Sequence, residues 1–165
     1  MLAALLLLAA LLLVRFRTGG PIVVGRSPLL DRAAPAIELH DLEDRPVSLA
    51  AYRGRPVIVH FWASWCIPCR TEFPLYKRVR EEHASDGLEV LGIIYDDSVE
   101  SAAGFYQVQA ADWPALVDPG GRVAAEWGVV GLPITYFVDG QGIVRGVSYG
   151  PLPPDALDTL LRRIL

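Results

Sequence analysis

The segment PVIVHFW, residues 56–62, is a run of apolar, β-branched and aromatic residues. Such a run is typical of a strand that is covered on both faces. A helical pattern follows directly, with Phe73, Tyr76 and Val79 on one stripe. LEVLGIIY, residues 88–95, then reads as a second buried strand. This order predicts a βαβ unit with two parallel strands, and therefore an α/β fold.

The two cysteines of the chain, Cys66 and Cys69, lie between the first strand and its helix. A disulfide between them would close a very small loop, so it would restrict the unfolded chain little and add little stability. A chain of 165 residues can also bury a sizeable core without a stabilising cross-link. A structural zinc site needs four ligands, and the three histidines, His40, His60 and His83, do not have zinc-finger spacing. We therefore expect redox chemistry and no metal.

The start of a helix favours that chemistry. Backbone N–H groups without helical partners and the positive end of the helix dipole lie beside the first sulfur, where they stabilise a thiolate. The thiolate of Cys66 is then the expected nucleophile in disulfide exchange. Cys69, one helical turn further on, can attack the mixed disulfide and release the product.

Charge excludes one broad class of function. The chain has 19 acidic and 15 basic residues, a net charge of -4 and no basic run. It therefore has no electrostatic footprint for nucleic acid, and we expect no nucleic-acid partner.

The first residues are far more apolar than the rest. Thirteen apolar residues follow Met1; as a helix rising ~1.5 Å per residue they would reach roughly 20 Å, less than the ~30 Å hydrocarbon core of a bilayer. No basic residue precedes the run and no clear cleavage site follows it, so the anchor and signal patterns are both imperfect. Arg15 and Arg17 follow the run, which by flanking charge alone would put the domain inside the cell. We expect the true start of the chain to lie upstream.

These patterns predict three regions. We interpret residues 1–17 as a hydrophobic membrane anchor or uncleaved signal. Residues 18–35, which contain Gly, Pro and small residues without a steady period, are interpreted as a linker. The folded domain is expected at residues 36–165.

Several shorter patterns predict the remaining elements of this domain. They are a strand pair or extended arm in residues 36–54, a helix in residues 98–111 begun by an acidic cluster, a turn at DPGG (118–121), two strands joined at DGQG in residues 134–150, and an amphipathic helix in residues 153–165.

Two segments, VIVHFWASWCIPCRTEFP and GVVGLPITYFVDGQGIVR, together resemble the thioredoxin-like family. More narrowly, they resemble its membrane-anchored TlpA, ResA and CcmG (DsbE) group of extracytoplasmic thiol–disulfide reductases, over residues 28–165. SPLLDRAAP, VLGIIYDDS and DPGGRVAAEWGVVGLP are most similar to the CcmG branch. The resemblance implies a thioredoxin fold, which is a central mixed β-sheet flanked by helices, with an N-terminal extension, a helical insertion and no bound cofactor.

The resemblance also implies roles for individual residues. Cys66 corresponds to the exposed attacking thiol and Cys69 to the resolving thiol of a redox-active disulfide. Pro133 corresponds to a cis-proline that faces the pair, and X-Pro is the peptide bond with a small cis penalty. The residues expected to contact the substrate are Trp65, Ile67, Pro68 and Leu132.

Two ionisable residues are further candidates for catalytic roles. Glu72 matches an acidic residue of the group and would share a helix face with Cys69. There it would either raise the thiol pKa and relay protons, or be a solvated carboxylate. His60 stands where thioredoxins usually have Asp; burial on the central strand favours a neutral imidazole, either hydrogen-bonded within the core or part of a proton relay.

The expected function is that of a monomeric, tethered extracytoplasmic reductase. It would reduce apocytochrome c disulfides during cytochrome c biogenesis and be recharged by a membrane thiol donor of the CcdA or DsbD kind. A general periplasmic disulfide reductase with another substrate is the alternative.

Two rival functions fit the motifs less well. A peroxiredoxin would carry Pro at 59 and Thr at 63, where this chain has Val59 and Ala63. A Sco-like copper chaperone would use C-x-x-x-C and a distant histidine, and no histidine follows His83.

Overall fold

Residues 27–165, which the computed structural model describes, contain one mixed sheet of seven strands and four α-helices. The strands are β1 (Glu38–Asp41), β2 (Pro46–Ser48), β3 (Val57–Trp62), β4 (Glu89–Ile94), β5 (Ala115–Val117), β6 (Ile134–Val138) and β7 (Val144–Tyr149). The helices are α1 (Ile67–Glu82), α2 (Val99–Val108), α3 (Arg122–Glu126) and α4 (Pro154–Leu161). The strand order is β2-β1-β5-β4-β3-β6-β7.

Strand β3 is the central strand that the sequence predicts. All six of its residues are buried, and it pairs in parallel with β4 and antiparallel with β6. Successive side chains of a strand point to opposite faces, so β3 contributes to two apolar cores, one on each side of the sheet. The predicted βαβ unit is therefore confirmed.

The helices are distributed unequally over the two faces. The core on one face contains apolar side chains of α1, α2 and α4 together with both cysteines, while α3 packs into the core on the other face. The cysteine pair is thus joined to the larger helical layer.

The other predicted elements are mostly confirmed. The strand pair is β1–β2, the hairpin is β6–β7, and the amphipathic C-terminal helix is α4. The helix predicted in residues 98–111 is α2, but its N-cap is Ser98, whose hydroxyl accepts the N–H of Ser101. Strand β5 and helix α3 were not predicted, because three and five residues are too short for a recognisable period.

Part of the segment interpreted as a linker contacts the domain. Within residues 27–35, the N–H of Asp31 donates to the carbonyl of Val144, and the N–H of Ala34 donates to that of Gly142. Strand β7 is an edge strand, so these bonds satisfy backbone groups that would otherwise face solvent.

The predicted anchor, residues 1–17, lies outside the residues that the structure describes. Within residues 27–165, none of the helices combines the length and the apolar character needed to cross a membrane.

Candidate active site

Four loops meet at one edge of the sheet. Strands β3 and β4 run in parallel and end there, while β6 begins there because it is antiparallel to β3. Strand β7 is antiparallel to β6, so it ends at the same edge. The loops next to these strand ends carry Cys66, Asp96 and Asp97, Pro133, and Leu152.

Cys66 and Cys69 form a disulfide with a Cα–Cα distance of 5.3 Å. Cys66 is the N-cap of α1, and its Sγ accepts the backbone N–H of Cys69 at 3.2 Å. The first two helical residues are Ile67 and Pro68; proline suits the first turn because its missing N–H would have no helical partner. The sequence-predicted position of the pair at a helix start is confirmed.

The two cysteines are almost enclosed in this state. Cys66 is 4% exposed and Cys69 0%. The resemblance implies an exposed Cys66, and this expectation needs correction, because the sulfur is bonded to the buried Cys69 and belongs to the apolar core beneath α1. The surrounding rim is open: Trp65 is 55% exposed and Ile67 75%.

The loop that follows β4 holds the residues before Cys66 in place. The Trp65 indole N–H donates to the carbonyl of Asp96 at 2.9 Å. The backbone N–H of Ser64 donates to the Asp97 carboxylate at 2.6 Å. Neither aspartate was predicted to belong to the site; the sequence signal was the DDS turn directly after the second buried strand.

The loop before β6 contains the predicted cis-proline. The Leu132–Pro133 peptide bond is cis, and the Pro133 carbonyl accepts the N–H of Gly150 at 2.9 Å. Leu132 is partly buried against both cores, whereas Val130, which was not singled out from the sequence, is 89% exposed. The loop therefore presents apolar surface at the edge that carries the disulfide.

Glu72 lies on the buried stripe of α1 with Cys69, one helical turn away. It is 1% exposed, and its Oε1 accepts the backbone N–H of Leu152 at 2.8 Å. Burial raises the pKa of this carboxyl to about 8, against an ordinary value of 4.5. The expectation of a solvated carboxylate is therefore wrong, because the apolar stripe of α1 turns this position into the core.

His60 is fully buried on β3. Its Nδ1 lies 3.1 Å from the Thr135 hydroxyl and 3.4 Å from the Tyr76 hydroxyl. Burial lowers the pKa of the imidazole to about 3, which favours the neutral form that the sequence predicts. Its Nε2 lies 3.7 Å from Glu72 Oε2; the two groups would be an ion pair only if the imidazole were charged, and burial of both favours the neutral pair.

A disulfide at the first turn of a helix, set beside a cis-proline on a mixed sheet with helices on both faces, defines a thiol–disulfide oxidoreductase of the thioredoxin type. The family model described as the AhpC/TSA family matches residues 30–147, and the chain belongs to this family.

Proteins of similar sequence or structure carry names that belong to this class. The thiol:disulfide interchange protein HelX of Rhodobacter capsulatus is 36% identical over 132 residues, which cover 78% of this chain and 73% of that protein. The thiol-disulfide oxidoreductase ResA of Bacillus thuringiensis is 26% identical over 82% of this chain and 78% of its own length. The crystal structure of a putative thiol:disulfide interchange protein DsbE from Chlorobium tepidum has a TM-score of 0.74 and 29% identity, and covers 79% of this chain and 93% of that one. The thioredoxin fold and the membership of the CcmG and ResA group are thus confirmed.

Proposed function

We propose that this thiol–disulfide oxidoreductase is a tethered extracytoplasmic reductase whose substrate is the disulfide of apocytochrome c. The observation that carries the proposal is the Cys66–Cys69 disulfide at the N-terminus of α1, beside an open apolar rim. The similarity to proteins named HelX and DsbE supports an interchange reaction with another protein.

The reaction uses the two cysteines in sequence. In the reduced protein the Cys66 thiolate attacks one sulfur of the substrate disulfide, and the released substrate sulfur takes up a proton. Cys69 then loses its proton and attacks Cys66, so the mixed disulfide breaks and the substrate leaves with two thiols. The Cys66–Cys69 disulfide is the product of this second step, and a membrane thiol donor of the CcdA or DsbD kind reduces it again.

The rim supplies a surface for the substrate chain. Trp65 and Ile67 are exposed on one side of the disulfide, and Leu132 and Pro133 lie on the adjoining loop at the same sheet edge. Pro68, next to them in the first turn of α1, is only partly exposed. We assign Trp65, Ile67, Pro68 and Leu132 to substrate contact, while Pro133 itself is buried beneath this surface. A largely apolar rim suits an unfolded polypeptide, because such a chain exposes the side chains that folding would bury.

Location is part of the proposal. A disulfide substrate for a reductase is abundant only where disulfides form and persist, which is outside the cytoplasm. Residues 1–17 would hold the domain, as a monomer, at the outer face of the cell membrane. A general extracytoplasmic reductase with another substrate remains the second reading of the same site.

The test is covalent trapping with the full chain. Without Cys69 the mixed disulfide at Cys66 cannot be resolved, so Cys69→Ala accumulates substrate adducts that thiol reductant releases. We expect apocytochrome c, with its C-x-x-C-H pair, to lead among the adducts from membranes that make cytochromes.

Cys66→Ala is the matched control and should trap none of these proteins. Adducts dominated by other extracytoplasmic proteins would favour the general reductase. Adducts mainly with peroxide-stress or copper-oxidase assembly proteins, or no adducts at all, would contradict the proposal.

A further inference from the structure

Behind the cysteine pair, two buried polar atoms face each other and have no other partner among residues 27–165. They are Nε2 of His60 and Oε2 of Glu72, which are 3.7 Å apart. A buried polar atom that makes no hydrogen bond is strongly disfavoured. The separation of 3.7 Å is longer than a hydrogen bond, so a small side-chain movement is needed for the two groups to share a proton. Either group can supply it: a protonated carboxyl donates to an unprotonated Nε2, and an Nε2–H donates to a carboxylate.

The opposite nitrogen of the imidazole can adapt to both arrangements. Nδ1 lies near the hydroxyls of Thr135 and Tyr76, and these hydroxyls are 2.8 Å from each other. A hydroxyl can donate or accept, so this pair can accept from an Nδ1–H or donate to a bare Nδ1. The ring is therefore held in one place while its proton can be on either nitrogen.

The surroundings of Glu72 indicate that its carboxyl, and not the His60 imidazole, is the group that gains and loses a proton. Its titratable neighbours are Cys69 and Tyr76 on α1 and His60 on β3; β6 contributes the uncharged Thr135, and the loop before α4 contributes the N–H of Leu152. Burial raises the pKa of Glu72 to about 8 in this disulfide form and keeps the His60 imidazole neutral. The Leu152 N–H occupies Oε1, which leaves Oε2 facing His60 as the site for the proton.

We infer that His60 is a positioning residue for the Glu72 proton, with a tautomer that follows the protonation state of Glu72. With the carboxyl protonated, Nε2 accepts from Oε2–H and Nδ1–H donates to the hydroxyl pair. With the carboxyl ionised, Nε2–H donates to Oε2 and Nδ1 accepts. The ring carries one proton in both states, on Nδ1 in the first and on Nε2 in the second, so His60 stays neutral and only Glu72 changes charge.

This arrangement serves the second step of disulfide exchange. As Cys69 attacks Cys66, the Cys69 S–H bond breaks, the new S–S bond forms, and the substrate sulfur leaves with the electron pair. The Cys69 proton passes to the Glu72 carboxylate, one helical turn away, and the His60 tautomer changes to hold it. Reduction of the disulfide returns the proton to Cys69. The inference rests on Cys69 as the resolving thiol and not on the identity of the substrate.

The test is nitrogen NMR of the imidazole in the oxidised full chain between about pH 6 and 9.5. We expect the His60 ¹⁵N shifts to change from the Nδ1–H to the Nε2–H tautomer with a midpoint near pH 8, where Glu72 ionises. Glu72→Gln should hold a single tautomer throughout. His40 and His83, outside this cluster, serve as internal references. A constant tautomer in the natural chain, a doubly protonated His60 ring, or a switch that persists in Glu72→Gln would each overturn the inference.

Exchange kinetics give a second readout with a small disulfide, oxidised glutathione, so that a wrong substrate assignment does not affect it. His60→Leu removes the hydrogen-bond donor to ionised Glu72. Because a charge-assisted hydrogen bond stabilises the ionised form most, its loss should move the pH profile of the exchange rate up by about one pH unit. In His60→Gln, the amide can donate or accept a hydrogen bond, so the pH profile should move part of the way back to that of the natural chain. Equal losses of stability in both variants with an unmoved pH profile would assign His60 a purely structural role.

Discussion

Gly92 shows how tightly the layer behind the active site is packed. It lies on β4 opposite His60 of β3, and a Cβ at this position would stand 2.7 Å from the Trp62 indole nitrogen and 3.5 Å from that of Trp113. Real Cβ atoms do not approach so closely, so the indole rings would have to move.

Gly92→Ala should therefore destabilise the protein by about 1–3 kcal/mol, the usual range for overpacking a core. Gly104→Ala is the matched control: Gly104 is exposed on α2 with nothing within 4 Å of a new Cβ, and alanine there should stabilise by up to about 1 kcal/mol. Urea unfolding midpoints of both variants measure the contrast. Equal effects of the two substitutions would contradict this prediction, because they would show that the indole rings can move aside without loss of stability.

Glu72 and His60 make the stability of the fold depend on pH in opposite directions. The folded pKa of Glu72 is raised from 4.5 to about 8, so between these values the folded state binds more protons than the unfolded state, and the free energy of unfolding falls as pH rises. The folded pKa of His60 is lowered from 6.5 to about 3, so its contribution is lost as pH falls below 6.5.

Glu72→Gln should remove the first of these effects. Relative to the natural chain, the variant should gain stability between pH 5 and 8, by at most about 1.4 kcal/mol per pH unit. Denaturant unfolding of both oxidised proteins at several pH values measures the difference. Glu100→Gln, at an exposed position on α2, is the control. A stability difference that stays constant across this pH range would contradict the assignment of a buried, protonated Glu72.

At the scale of elements, the N-terminus of α1 should control which thiol reacts. Cys66 is the N-cap and already accepts the N–H of Cys69, so its thiolate gains a backbone donor and the helix dipole, while Cys69 is enclosed. In the reduced protein we expect iodoacetamide to modify Cys66 first, with a pKa below the ordinary ~8.5 of a free thiol.

Site-resolved mass spectrometry across pH measures the two rates. The same chain unfolded in urea is the control, since the two thiols should then react at similar rates. Faster modification of Cys69 in the folded protein would reverse the proposed order of attack.

Long periodic patterns made much of this architecture predictable. Strand β3 is a six-residue buried strand, and a sixteen-residue helix follows it. Both elements are long enough for their sequence patterns to be recognised, so the cysteines between them could be placed at the start of a helix. The burial of Glu72 was also visible in principle, since it lies between Cys69 and Tyr76 on the apolar stripe of α1.

The partners of His60 could not be predicted in this way. Thr135 is 75 residues away and meets His60 through the register of β3 against β6, which no local pattern specifies. The Leu152 N–H that bonds Glu72 comes from a loop 80 residues further along the chain. A local pattern therefore identifies the reactive pair, whereas the hydrogen bonds that set its proton chemistry depend on the assembled sheet.

At the scale of the whole molecule, the start of the folded domain decides which residues are left to form the proposed tether. The sequence places this boundary at residue 36, yet Asp31 and Ala34 donate backbone hydrogen bonds to β7, at 2.8 and 2.9 Å. The carbonyl of Arg32 accepts the N–H of Val144 in return, and Arg145 pairs with Asp31. These bonds put the start of the folded domain near residue 30 and cover the edge of β7.

Amide hydrogen exchange on the full chain tests this boundary. We expect the N–H groups of Asp31 and Ala34 to exchange far more slowly than in an unfolded peptide, because exchange requires the segment to separate from β7. The N–H of Ala33, which has no backbone acceptor among the described residues, should exchange faster and is the control within the same segment. Fast exchange at all three positions would move the start of the folded domain back to residue 36 and leave residues 31–35 in the proposed linker.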